Sequence, residues 1–526
     1  MDASAPGITA PDSPRTRRLQ ASPSPSSSPS PSPSRSPSAS PSPSPSPPLS
    51  PPQSYVATRG SPAVETSPMG RPAASPQPAA TGGGGPAGQP ANLSAALATV
   101  TALRQSTEDW WSKHGPDYEQ GGFYTTLDRY GSPVLEGAAG DKYLVPATRQ
   151  LFMFSTLALK DPGNSNARDL AKRAYDFLTK SALWDGGEGL FRWQVSRDGK
   201  TVVHPEKVLY GQAFAILGLA RYGRALGDPA AVDLAYKVFQ KVDSTRHDSS
   251  HGGYSEAVEA SYPPGVNIGN SPGADKSHNT HLHLIEAFTE LSRALEGGKG
   301  SDGGSGSAGS RQAAVNARLS EMVGLLPSKL WQPGTQHIGT EFTADWKVLD
   351  PSAKLYAHEI ELVYFLLAAL DQLSRAGVQL PTDAELAVRV GRAAQEGYDN
   401  KTGGFWQDGD AGGPTIKDWC GQKEWYKIWW PQFEGMSGLF WLWQKTGDAT
   451  YWDRLLATLK LVNNSFHDSQ GGEFYYSVTD QTRQPVCQAF LKGTQWKASY
   501  HALRGLVLVE EWLAAVKYGK QPVVQV

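Results

Sequence analysis

Cysteine is nearly missing from this 526-residue chain, which holds only Cys420 and Cys487. Two cysteines give neither a disulfide framework nor the paired spacing of a zinc site, and their scarcity fits a reducing compartment. No apolar run approaches the roughly 18 residues a membrane-spanning helix needs, so no membrane partner is expected. Nor is there an excess of charge of either sign. The 49 basic and 51 acidic residues leave a net charge of -2, no footprint for nucleic acid or for an acidic substrate. An apolar h-region is also wanting, so no secretory signal is expected and the location reads as cytoplasmic. What is plentiful is aromatic. Sixteen tryptophans and 20 tyrosines are a density that lines carbohydrate clefts as readily as it builds cores.

Residues 1–90 are a different material from the rest. The Ser-Pro repeats from Ser22 to Pro52 cannot hold a helix, because each proline removes a donor and pushes its predecessor to extended geometry. Apolar residues there are too few to offset the entropy of ordering, so this tail is expected to be disordered. Its charges include Arg15, Arg17, Arg18, Arg35, Arg59 and Arg71, with no lysine. An Arg- and Ser-rich start also suits an organelle transit peptide, but no amphipathic helix accompanies it. A low-complexity tail is therefore the reading, with organelle import as the alternative.

From Asn92 the composition turns globular, and one folded domain is expected over residues 91–520. Leu93, Leu97, Val100, Leu103 and Trp110 recur at helical spacing. Double-glycine turns then repeat at Gly121-Gly122, Gly186-Gly187, Gly252-Gly253, Gly403-Gly404 and Gly471-Gly472, with Gly339 as a degenerate member. Most neighbours lie about 65 residues apart, room for two helices and a loop. The wider middle gap is explained by a Gly/Ser-rich insertion, Gly297 to Ser310. Tyr210 to Leu226 reads as a helix that stops at Gly227 and restarts at Asp228-Pro229, where Gly tolerates the left-handed region, Asp caps and Pro suits the first position. Six such pairs closing into a ring make an all-α (α/α)6 barrel, with inner helices around one pocket. An open solenoid of the same pairs is the alternative.

The stretch from Lys276 to Glu290 begins one of these helices with chemistry on one face. Asn279, His283 and Glu286 sit at i, i+4 and i+7 and project together. His281 lies about 200° round the helix from His283, which argues against a two-histidine metal grip. No stretch offers a convincing set of metal ligands, so neither metal nor cofactor is expected.

Lys207 to Ala215, Lys276 to Phe288, Tyr356-Ala357-His358-Glu359-Ile360-Glu361, Trp429 to Glu434 and Trp496 to His501 together resemble the N-acylglucosamine 2-epimerase superfamily. They look closest to its cellobiose 2-epimerase branch. The resemblance spans roughly residues 95–515 and implies the same (α/α)6 barrel. It also implies inversion of C2 in a reducing aldose, by proton abstraction through an enediolate. Such chemistry needs a base near neutral pKa, an acid opposite it, and donors for the enediolate oxygen, and histidine suits both proton roles. By resemblance His358 and His501 are the acid/base pair, and His283 supports the reducing sugar. Arg149 would hold O1 or O2, and Trp429 and Trp430 would stack on sugar faces. Asn279 and Glu361 complete the expected binding set, and the i, i+3 spacing lets the Glu361 carboxylate orient His358 or contact the sugar. Vertebrate-type members lack a histidine matching His283, so its presence favours a neutral aldose or disaccharide. Ala357, Val363-Tyr364 and Ser499 depart from the branch's usual pattern and bear on the substrate more than on the chemistry.

The expected partner is therefore a small reducing mono- or disaccharide, bound by a monomer or homodimer. N-acetylglucosamine/N-acetylmannosamine 2-epimerisation and aldose–ketose isomerisation are the alternatives on the same scaffold. Two readings lie outside that class. A glycoside hydrolase would need two carboxylates about 5–10 Å apart, with Glu361, Glu434 and Asp418 as candidates. A non-catalytic carbohydrate-binding protein would need neither carboxylates nor histidines.

Overall fold

The structure is a computed structural model that describes residues 89–256, 274–296, 305–419, 422–485 and 487–524, all within the compact unit 51–526. The expected disordered tail, up to residue 88, and residues 297–304 of the Gly/Ser-rich insertion lie outside the described residues.

Twelve α-helices occur among the described residues. They are α1 (Leu93–His114), α2 (Leu144–Lys160), α3 (Ser165–Lys180), α4 (Leu209–Leu226), α5 (Pro229–Arg246) and α6 (His278–Ala294). They continue as α7 (Ser305–Leu325), α8 (Tyr356–Arg375), α9 (Ala384–Ala394), α10 (Trp429–Thr446), α11 (Ala449–Leu461) and α12 (Tyr500–Lys517). The even-numbered helices are buried almost all round, as in the unbroken run Leu209 to Gly223 of α4. Such helices have no solvent face and belong inside. α3 buries only a stripe, Ala167, Leu170, Ala171, Ala174, Phe177 and Leu178, and belongs outside. The contacts agree. α2, α4, α6, α8, α10 and α12 each pack on the next, and α12 packs back on α2. α3, α5, α7, α9 and α11 each lie on the inner helix before them, and α1 covers α12. The ring is closed, an (α/α)6 barrel rather than a solenoid.

Local signals set the pairs. Gly227 adopts φ 69°, and the Asp228 carboxylate accepts from the Ala230 and Ala231 amides at the start of α5. Inner helices approach closely: a Cβ on Gly438 of α10 would stand 2.5 Å from the Ile360 carbonyl oxygen of α8.

Each outer helix runs into a tight turn. At Asp117, Asp248, Asp399 and Asp468 the carboxylate accepts two amides of its own turn, and the carbonyl accepts the amide four residues on. Three expectations need correcting. In the second turn the left-handed residue is Gly189, bonded to the Asp185 carbonyl, rather than Gly186 or Gly187. In the fourth turn Gly339 is not the turn glycine. Gln332 takes the place of Asp, Gln336 adopts φ 59°, and His337 pairs with Gln332. The Gly/Ser-rich stretch is also shorter as a linker than expected, since α7 begins at Ser305.

A lysine stands just before each inner helix: Lys142, Lys207, Lys276, Lys354, Lys427 and Lys497. Five of them meet an acid in or beside the turn of the preceding outer helix: Asp117, Asp185, Asp248, Asp399 and Glu473. Lys354 instead meets Glu396, at the turn after α9. These ties anchor the N-terminal ends of the inner helices, where the polar residues of the barrel interior gather.

Candidate active site

The first two turns of the inner helices carry the chemistry. The sixth residue of α2 is Arg149, of α6 His283, of α8 Glu361 and of α10 Glu434. Nearer the helix starts stand Tyr210, Asn279, His358, Trp430 and His501. Positions four apart lie on one helical face, so the repeat brings two tiers of side chains to the barrel axis.

An unbroken series of contacts joins most of the expected residues. Arg149 donates to the Trp496 carbonyl and, at 3.0 Å, to the Tyr210 hydroxyl, with its guanidinium 4.5 Å from the Phe214 ring centre. Tyr210 meets the His283 ring edge-on, centroids 5.2 Å apart. His283 Nδ1 lies 3.2 Å from Glu286, whose carboxylate accepts from the Tyr500 hydroxyl and from Arg504 at 2.6 Å. Arg504 also donates to Glu361 at 2.8 Å and to Glu434 at 2.6 Å. Glu434 lies 2.7 Å from His501 Nδ1. Trp430 touches both histidines, its ring 5.2 Å from His501 and 4.8 Å from His358. Asn279 is partly exposed, its Oδ1 without a partner among the described residues.

Trp429 is placed differently. It is buried against Tyr476 at 4.4 Å and meets His501 only edge-on at 6.3 Å, so one tryptophan of the pair fills the wall while Trp430 reaches the centre. The side chain of Asp418 lies outside the described residues. His337, in the fourth turn, is buried between Glu359 and Glu396. His281 faces outward to Trp346 and accepts the Tyr254 amide, as the 200° offset from His283 requires.

The charge state follows from enclosure. Burial pushes His283 down to about 4. Burial, with the charges of Arg149 and Arg504, holds His501 well below the usual imidazole range. His358 is likewise held well below it, by burial and by His278 and His283. All three imidazoles are neutral at pH 7 and can accept a proton. Glu434 moves the other way, pushed up to about 7 by burial against the pull of Arg504. Glu361 is raised well above the carboxylate range by burial and by Glu434. One guanidinium cannot hold three ionised carboxylates in a buried site, so protons remain on the Glu361–Glu434 pair.

Glu361, Glu434 and His501 form the one group of three potential metal ligands among the described residues, their atoms within 4.8 Å of one another. Arg504 already donates to both carboxylates, so a cation there would compete with a fixed positive charge.

Sequence reasoning missed Arg504, the hub of the network, and passed over Tyr210, Tyr500 and Trp496 as site residues. The signal for Arg504 was present: a lone arginine in the apolar run Ala502 to Val509, where a buried charge needs partners.

Residues 121–505 match the family described as N-acylglucosamine 2-epimerase (GlcNAc 2-epimerase). The cellobiose 2-epimerase of Bacteroides fragilis is 26% identical over 396 residues, covering 74% of this chain and 92% of its own length. The N-acylglucosamine 2-epimerase of Bos taurus is 24% identical, covering 77% and 88%. The structure of cellobiose 2-epimerase from Spirochaeta thermophila superposes with a TM-score of 0.68 at 26% identity, covering 81% of this chain and 98% of that one.

Proposed function

The chain belongs to the N-acylglucosamine 2-epimerase family, and we propose that within it this protein inverts C2 of a neutral reducing aldose or disaccharide, using His358 and His501 as the two proton-transfer groups. The observation that carries this reading is the placement of the two imidazoles. They come from α8 and α12, on either side of α10, and both meet the ring of Trp430. Groups on two sides of one bound sugar reach opposite faces of C2. In the forward step one neutral imidazole takes the C2 proton, and the electron pair forms the C1–C2 enediolate with negative charge on O1. The second imidazole, neutral at rest, returns a proton to the other face from one ring nitrogen while its other nitrogen takes up a proton from a neighbouring group. For the reverse epimer the roles exchange.

The Glu434 carboxyl, 2.7 Å from His501 Nδ1 and pushed up to about 7, can hold the proton that His501 needs. Arg149 and the positive ends of the inner helices favour the enediolate charge. His283, held by Glu286, and Asn279 orient the open-chain sugar, and Trp430 stacks on it. Glu361 and Glu434 sit side by side on one guanidinium rather than across a cleft, which disfavours a glycosidase.

Incubation with cellobiose, glucose, mannose and N-acetylglucosamine in heavy water tests the reading by proton NMR. Deuterium should enter C2 as the 2-epimer appears, with the neutral sugars turned over faster than the N-acetyl sugar. Shortened sugars, or no exchange with any of them, would overturn it. A ketose product would assign aldose–ketose isomerisation instead.

A further inference from the structure

One buried titratable side chain beside the site has no task so far. His278 opens α6, and its amide is fixed to the Thr340 carbonyl at 2.9 Å. The side chain is fully enclosed, yet neither ring nitrogen meets a partner among the described residues. An imidazole shut away from water with both nitrogens unmet is costly, and such groups call for a functional account. Its neighbours differ. His281 is bonded through both nitrogens, to the Ser277 carbonyl and the Tyr254 amide, and His283 is bonded to Glu286. The ring facing His278 is that of His358, with centroids 6.1 Å apart and planes at 63°. Nδ1 of His358 is itself buried and unmet.

The geometry points to His278 as a positioning residue for His358: a His278 ring nitrogen bonds Nδ1 of His358 and so fixes the tautomer that leaves Nε2 to act on the sugar. The inference rests on the reading of His358 as a proton-transfer group. The nitrogen that carries the proton in a histidine is set by the bond the other nitrogen makes. At 6.1 Å between ring centres the bond forms directly after a small rotation or through one bridging water, and contacts of this kind tighten when substrate binds. Burial pushes His278 down to about 3, so it serves as a neutral donor or acceptor and adds no charge beside His358.

The test uses the full chain labelled with 15N-histidine, its His358 signals assigned with His358→Gln. Long-range proton–nitrogen NMR should show His358 as one neutral tautomer in the unsubstituted protein. His278→Phe, which keeps the ring volume, should turn it into a mixture, and His278→Gln should restore it. With cellobiose, His278→Phe should lower kcat by about 10- to 100-fold with KM changed less than about threefold, and His278→Gln should recover most of the loss. Mixed tautomers in the unsubstituted protein would overturn the inference even if His278→Phe fails to fold, and a folded His278→Phe with unchanged His358 signals would overturn it too. A single tautomer that depends on His278 in a chain that turns over no sugar would uphold the inference and sink the epimerase reading.

Discussion

At the residue scale, His358 and His501 are neutral imidazoles that share contact with one tryptophan, and each is expected to carry a distinct half of the reaction. His358→Asn and His501→Asn should each lower kcat by roughly 10²- to 10⁴-fold, the usual worth of one positioned acid or base. KM should change little, because Arg149 and Trp430 still hold the sugar. Steady-state kinetics check this, and near-normal turnover in either variant would remove that residue from the mechanism. A variant that no longer epimerises but still exchanges the C2 proton identifies the surviving histidine as the base. The carboxyls give a second prediction. Glu434 titrates at 4.5 when exposed and at about 7 when folded, so between those values the folded state binds more protons than the unfolded state. Its contribution to stability is fully present below pH 4.5 and lost as pH rises to about 7. The histidines act oppositely, losing stability as pH falls below 6.5. Denaturant unfolding of Glu434→Gln beside the unsubstituted protein isolates the carboxyl. Their stability difference should change by up to about 1.4 kcal/mol per pH unit between pH 4.5 and 7, and a parallel pair of curves would contradict it. His283, His358, Glu361 and His501 were legible because their types and spacings follow from proton chemistry and a shared motif. Arg504 and His278 were not, because a hub arginine and an unmet imidazole are defined by neighbours from other repeats, which no local spacing encodes.

At the element scale, the helix pairs were legible wherever Gly and Asp mark them, as at Gly227-Asp228. The fourth turn was misplaced by a few residues because Gln332, Gln336 and His337 do its work without either residue. The lysine before each inner helix is the more regular mark. It repeats six times, and it escaped notice because a single lysine reads as a surface residue. Its role is to neutralise the turn acid and fill backbone acceptors. Lys276 is fully buried and bonds Asp248 at 2.8 Å, the Gly252 carbonyl at 2.8 Å and the Ala344 carbonyl at 2.6 Å. Lys276→Met keeps the volume but takes the cation from Asp248 and one donor from each of two carbonyls. It should destabilise the protein by about 3–5 kcal/mol, read as a fall in the denaturant midpoint. A variant within about 0.5 kcal/mol of the unsubstituted protein would show that the turn holds without its lysine.

At the scale of the whole molecule, the barrel closes through its first and last helices, and this seam lies close to the site. α1 covers α12 from outside, burying Leu93, Val100, Leu103, Trp110 and Trp111. Trp110 Nε1 donates to the Gly471 carbonyl at 2.9 Å, and Arg104 meets Glu510 of α12 at 2.6 Å. Trp111 Nε1 reaches Glu473 at 3.4 Å, the carboxylate that also holds Lys497 just before α12. A displaced α12 therefore displaces His501 and Arg504 together. Five large apolar side chains at about 1.5–3 kcal/mol each equal the net stability of an ordinary domain, about 5–15 kcal/mol. The low-complexity stretch before α1 has no comparable claim, since it offers no group suited to sugar chemistry and too little apolar surface to join a core. Two truncations separate these roles. A chain starting at Gln89 keeps that residue's bond to the Lys517 carbonyl and the Ala91 carbonyl's bond from Trp452. Its turnover and melting temperature should match those of the full chain. A chain starting at Gly115 should lose cooperative unfolding and near-ultraviolet dichroism, and turnover with them. Substantial turnover in the second chain would show that the ring closes without α1, and a large loss in the first would give the Ser/Pro-rich segment a part in catalysis.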